Sequence, residues 1–116
     1  MKIIRKALSL NKEDYYKKHL FIINHILPVQ MTPKEVEVLA SFMALEGDIA
    51  KEPFCTSGRK IVREKLKISP GGMGNYLEQL KGKGFIIDKD RRLTILPILI
   101  PEKSEQGYQF KLKINE

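Results

Sequence analysis

Two helix starts of the same chemical form divide this chain, one at Thr32-Pro33 and one at Ser69-Pro70. A short hydroxyl side chain just ahead of a helix accepts a backbone N–H of the first turn. Proline at the first helical position then costs nothing, because the N–H it lacks would have no partner there. Glu35 stands three residues after Thr32, where its carboxylate reaches back to complete a capping box. The pattern predicts a helix from Pro33, with Val36, Leu39, Ala40 and Met43 as its buried stripe and Gly47 as its stop. The second start comes three or four residues after another amphipathic stretch. In that stretch Ser57 is the expected cap, Ile61, Val62 and Leu66 face inward, and Ile68 closes the helix. The helix opened by Ser69-Pro70 turns Met73, Leu77 and Leu80 inward and ends at Gly82 or Gly84. Two helices joined by so short a turn must pack across one another, which narrows the choice of fold.

The flanks of this unit differ in period. Residues 1–10 satisfy neither a helical nor a strand period and read as a short strand or an arm. Asn11 caps a helix with Tyr16, Leu20, Ile23 and Leu27 on one face, ended by Pro28. Its other flank carries Tyr15, Phe21, Ile22 and Ile26, more apolar surface than one small core hides, so a homodimer through this first helix is expected. From Phe85 the period changes to two. Phe85-Ile86-Ile87, a turn at Asp88-Lys89-Asp90-Arg91, the apolar run 93–100 and the alternating stretch 108–114 predict an antiparallel sheet. The expected class is α+β, about four helices followed by a C-terminal β wing. It forms one domain over 1–116, with arm and first helix in 1–30, helical core in 31–84 and wing in 85–116.

Composition removes several function classes. An apolar fraction of 42% is too high for a disordered chain, and no apolar run approaches the ~20 residues of a membrane helix. A lone cysteine, Cys55, makes no internal disulfide and the first residues lack a signal-peptide core, so a cytoplasmic setting is expected. His19 and His25 fall on different faces of the first helix, far from Cys55, and read as surface histidines beside a buried thiol. No metal site, catalytic constellation or cofactor is expected, and the chain is not read as an enzyme. Gly71-Gly72-Met73-Gly74 fits the glycine pattern of KH domains, but the surrounding elements come in the wrong order, and the ending a P-loop requires is missing.

Charge is informative through its placement. Of the net +7, residues 57–92 carry +6, with ten basic and four acidic side chains. A solvated surface mixes its signs, whereas a concentrated basic block suits a polyanion.

The run Arg59-Lys60-Ile61-Val62-Arg63-Glu64-Lys65-Leu66-Lys67-Ile68-Ser69, followed by Met73, Leu77 and Leu80-Lys81-Gly82-Lys83-Gly84-Phe85-Ile86, resembles the helix-turn-helix and start of the wing in MarR-like winged-helix regulators. The likeness covers roughly 32–96. Arg92-Leu93-Thr94-Ile95-Leu96-Pro97 is also similar to a strand of some plasmid and phage replication proteins. The resemblance implies sequence-specific binding of double-stranded DNA by a transcriptional regulator or replication accessory protein, its last helix lying in the major groove. That helix offers Asn75, Gln79, Tyr76 and Gly72 for base readout. Arg59, Lys60, Arg63, Lys67, Ser69, Lys81, Lys83, Lys89, Arg91 and Arg92 are the expected backbone contacts, which position the protein without specifying sequence. The alternative is a winged helix used as a protein-interaction or structural adaptor, phage-related or otherwise, favoured by the arginine-free, glycine-rich face of the same helix.

Overall fold

In the computed structural model, which describes residues 2–102 and 105–115, the helix from Pro33 is the central element. Four helices, α1 (Lys12–Asn24), α2 (Pro33–Met43), α3 (Thr56–Leu66) and α4 (Pro70–Gly82), precede a two-stranded antiparallel sheet of β1 (Ile86–Lys89) and β2 (Arg92–Ile95). The class is α+β, with an element order compatible with a winged-helix layout.

α2 is held at its start by the expected capping box. Thr32 N donates to Glu35 Oε1 at 2.7 Å and Glu35 N donates to Thr32 Oγ1 at 3.2 Å. Val36, Val38, Leu39, Ala40 and Phe42 are all buried, so α2 is covered on most sides rather than along one stripe, and Met43 is only partly covered. α1, α3 and α4 each pack on it. It ends at Ala44, earlier than Gly47, because the chain turns there into a 3-10 turn, Gly47–Lys51, with Gly47 at φ +73°.

Asn11 caps α1 as expected, accepting from Asp14 N at 2.8 Å. The helix stops at Asn24, four residues before Pro28. The Asn24 side chain accepts from Met31 N at 2.7 Å and donates to Met31 O at 3.0 Å, clasping the loop that leads to α2. Leu20 is buried, and Tyr16, Ile23 and Leu27 pack at the margin of the core.

α3 begins one residue before Ser57, with Cys55 as its cap; the Cys55 sulfur accepts from Gly58 N at 3.4 Å. Gly58 lies so close to the preceding loop that a Cβ there would stand 2.0 Å from the Pro53 carbonyl oxygen. The resulting frame buries Val62, half-covers Leu66 and leaves Ile61 exposed, contrary to the expected inward set. Cys55 is half-buried, its thiol serving the cap. α3 closes through Lys67, which adopts the left-handed conformation at φ 55° and lets Ile68 N donate to Arg63 O at 2.9 Å. Ser69 then caps α4, accepting from Gly72 N at 3.0 Å, with Met73, Leu77 and Leu80 buried.

Gly84, at φ +85°, turns the chain from α4 into the hairpin. β1 and β2 pair Ile86 with Ile95 and Lys89 with Arg92, so the turn is the two residues Asp90 and Arg91. The expected strand over 93–100 ends at Ile95. Pro97 offers no ladder N–H, and the chain enters a 3-10 turn, Pro97–Leu99, that drives Leu99 completely into the core. The third expected strand, 108–114, is not formed. The segment is irregular and exposed, having no strand beside it among the described residues. Residues 2–10 are likewise an irregular arm.

His19 corrects another expectation, being buried rather than on the surface. Its Nε2 lies 2.8 Å from Leu99 O, which can only accept, so the proton sits on Nε2 and Nδ1 accepts from the Tyr108 hydroxyl. Burial lowers the His19 pKa, outweighing the opposing effect of the hydrogen bond to the Leu99 carbonyl. Burial also pushes Tyr108 up to about 12, helped by Tyr15. Among the described residues no helix is long and apolar enough to cross a membrane.

Candidate nucleic-acid interface

The basic block of 57–92 folds into three adjoining pieces: α3, α4 and the β1–β2 turn. The structure separates its members by what their charges already do. Lys83 is drawn inward. Its Nζ donates to Glu35 Oε1 at 2.6 Å and to Gln30 O at 3.0 Å. Burial alone would raise the Glu35 carboxyl, but hydrogen bonds from Lys83 and Thr32 outweigh it and hold the pKa below the ordinary range. Lys83 therefore neutralises a buried carboxylate and is poorly placed for the phosphate contact expected of it. Arg92 Nε meets Glu52 at 3.1 Å, and Lys65 pairs with Glu13.

The other seven basic side chains, Arg59, Lys60, Arg63, Lys67, Lys81, Lys89 and Arg91, have no carboxylate partner among the described residues. All are exposed except Arg63, which is half-covered. Arg59 Nε donates to Phe54 O at 2.7 Å, which fixes the guanidinium at the first turn of α3. There it meets the hairpin. Arg59, Arg91 and Arg92 line one cleft of about 210 Å³, with Glu52 and Cys55, although more than thirty positions separate Arg59 from Arg91 in the chain. A cleft with three guanidiniums and one carboxylate attracts an anionic group such as a backbone phosphate.

Two of these cations occupy strained backbone. Lys67 at φ 55° and Arg91 at φ 65° both lie in the left-handed region, where glycine is the low-energy residue and an L side chain costs roughly 1–2 kcal/mol. With Asp90 at φ 53°, the hairpin turn has positive φ at both central residues, the geometry of a type I′ turn that favours Asn-Gly or Asp-Gly. Here its second residue is Arg91.

α4 presents Asn75, Glu78 and Gln79 to solvent, with Lys81 near its end. Tyr76 is half-buried and packs at the core margin, less available than Asn75 and Gln79. Gly72 has an internal role: a Cβ there would press on Ser69 Oγ at 3.1 Å and Ile68 Cγ2 at 3.2 Å, so glycine lets α4 seat on its own turn. Gly71 and Gly74 have nothing within 4 Å of a built Cβ, so no contact inside the chain requires them to be glycine. Ser69 is engaged in capping, its hydroxyl oxygen accepting from Gly72 N. Sequence reasoning did not find the Arg59–hairpin cleft or the Glu35–Lys83 pair. Both depend on contacts between distant segments, and the only local signal was the positive charge.

Protein-family models, curated proteins and solved structures were compared with this chain, and none matches.

Proposed function

We propose that the chain is a winged helix-turn-helix protein that binds double-stranded DNA specifically, as a transcriptional regulator or replication accessory protein. α3 and α4 form the helix-turn-helix, α4 enters the major groove, and the β1–β2 hairpin is the wing. The observation that carries this reading is the use of cations at positions where the backbone favours glycine. Lys67 ends α3 and Arg91 tips the hairpin, each retaining a charge at a conformational cost, and each belongs to a set of seven basic residues without carboxylate partners among the described residues. Strain kept at a residue that makes no internal ion pair points to an external partner. Arg59 and Arg91 flank one cleft, so a single phosphate can be held between α3 and the wing. Asn75 and Gln79 have the side-chain amides suited to paired bonds with adenine.

A salt series on random duplex DNA tests the first half of the proposal. Each phosphate neutralised contributes about −0.9 to the slope of log affinity against log salt, so five or six contacts give a slope of about −5. No binding at low salt, or a flat series, overturns the proposal. Selection from a random duplex library tests the second half. Asn75→Ala and Gln79→Ala should each cost about 1–3 kcal/mol on the selected site and almost nothing on a scrambled one.

The face of α4 supports a second reading. It has no basic residue ahead of Lys81, and it is bare at Gly71 and Gly74, which suits close approach of another protein surface. A protein-interaction adaptor is the reading that stands if the library yields no consensus.

A further inference from the structure

The arm and the C-terminal segment lie together on the outer flank of α1. Residues 2–5 and 108–110 line one hollow of about 280 Å³, and residues 6–8 and 105–108 line a groove of about 460 Å³ with Tyr15 and Ile22 of α1. Leu10 joins that groove to a third hollow bounded by Phe21. Apolar side chains alternate on this surface with lysines, Arg5 and Gln109, and much of the apolar part is left exposed. Ile3, Ile4, Leu8, Phe110, Leu112 and Ile114 are each more than half exposed, Leu112 at 95%. Phe21, also more than half exposed, extends this set along α1. Large apolar side chains left near one another in solvent mark surfaces that a partner covers. The radius of gyration, 15.6 Å, exceeds the about 13 Å expected of a compact chain of this length, as projecting segments require.

The chemistry of 108–114 identifies the partner. Tyr108, Phe110, Leu112 and Ile114 alternate with Gln109, Lys111 and Lys113, the pattern of a strand with one buried face, yet the segment has no strand partner among the described residues. Its start is tied to the fold through Tyr108 and His19, so this irregular segment is anchored at one end only, with no strand beside it among the described residues. The pattern is also self-complementary. In an antiparallel pair of two identical segments, a two-fold axis through any residue sets apolar against apolar. An axis through Lys111 would oppose two lysines, whereas an axis through Phe110 opposes Phe110 to itself, Tyr108 to Leu112, and Gln109 to Lys111, with Ile114 set beyond the apolar match, opposite Gln106.

We infer that this flank docks a second copy of the chain, the two 108–114 segments pairing antiparallel about Phe110 while the arms and the Phe21 side of α1 close over the junction. The expected homodimer surface of α1 then becomes one part of a larger interface, in which Ile22 is already half-covered by the chain's own arm. The test needs no nucleic acid, so its outcome is separate from that of DNA binding. Sedimentation equilibrium of the full chain at tens of micromolar should give twice the chain mass of 13.4 kDa. Phe110→Asp and Leu112→Asp, both at exposed positions, should give a single chain mass with an unchanged circular dichroism spectrum. In a Cys55→Ser background, Phe110→Cys should form a covalent dimer under mild oxidation, whereas Lys89→Cys at the hairpin should not. A monomeric wild type overturns the inference, as does a dimer indifferent to both aspartates or a Phe110→Cys chain that does not cross-link.

Discussion

Lys83 and His19 show how burial reassigns a residue. By sequence Lys83 is one more cation of a basic block, and in the fold its ammonium is the partner of Glu35, which is fully buried. One oxygen of Glu35, Oε2, finds no partner among the described residues, so the carboxylate depends on Lys83. Removing one member of a buried pair strands the other charge, at a cost of about 3–5 kcal/mol. Lys83 is itself partly exposed, which places the cost near the lower figure. Urea unfolding should show Lys83→Ala to be destabilised by about 2–3 kcal/mol, while DNA affinity of the folded fraction stays near wild type; an unchanged midpoint with a lost salt-dependent contact would return Lys83 to the interface. His19 gives a pH dependence of definite sign. Its folded pKa lies below the unfolded value of about 6.5, so between the two the unfolded chain carries a proton that the folded chain does not. Stability is full above pH 6.5 and falls as pH drops below it. Tyr108, Lys18 and Glu105 line the same groove, and Tyr108 stays neutral throughout this range. Thermal midpoints should fall between pH 7.5 and pH 5 in the wild type and fall less in His19→Gln.

At the scale of elements, capping chemistry was legible and strand pairing was not. Asn11, the Thr32 to Glu35 box and Ser69 each act on N–H groups within three residues, so their roles can be read from sequence alone. The buried face of α4 follows from the same local periodicity, whereas α2 is covered on most sides because three helices pack on it. Ser57 misled because the cap is the Cys55 sulfur, accepting from Gly58 N, and cysteine is outside the usual set of capping residues. The alternation of 108–114 has the period of a strand, but a strand exists only with a partner, and none is supplied by the rest of the described chain. Within the site, the solvent positions of Asn75 and Gln79 were legible from helical spacing, whereas the cleft shared by Arg59 and Arg91 was not. The strained ends of α3 and the hairpin allow charge to be separated from stability. Lys67→Gly and Arg91→Gly each place glycine where φ is positive, which relieves strain of roughly 1–2 kcal/mol against a smaller entropic cost. Both variants should melt at or above the wild-type temperature, yet each should lower the salt slope of DNA binding by about 1. Loss of stability in both would show that the side chains serve the fold, contrary to the external role assigned to them.

At the scale of the whole molecule, the basic surface and the bare apolar flank make different demands on a partner, and the two meet in the form of the DNA site. A single helix-turn-helix contacts few base pairs, whereas two copies related by a two-fold axis present two α4 helices to sequences that are themselves inverted repeats. If the 108–114 segments join the copies, the rotation that relates the two chains also relates the half-sites. Their centres should lie about 10 base pairs, or a multiple of that, apart. Sites selected by the wild-type chain should therefore be inverted repeats with one fixed spacing. Leu112→Asp, monomeric but with α4 and the hairpin intact, should bind an isolated half-site as well as the wild type does. It should lose most of the extra affinity for the full repeat, because the second half-site then binds independently. Insertion of five base pairs between the half-sites, which turns the second to the opposite side of the duplex, should have the same effect on the wild type and none on the variant. Selected sites without symmetry, or a Leu112→Asp variant that keeps the full affinity for the repeat, would separate DNA recognition from self-association and leave α4 to act alone.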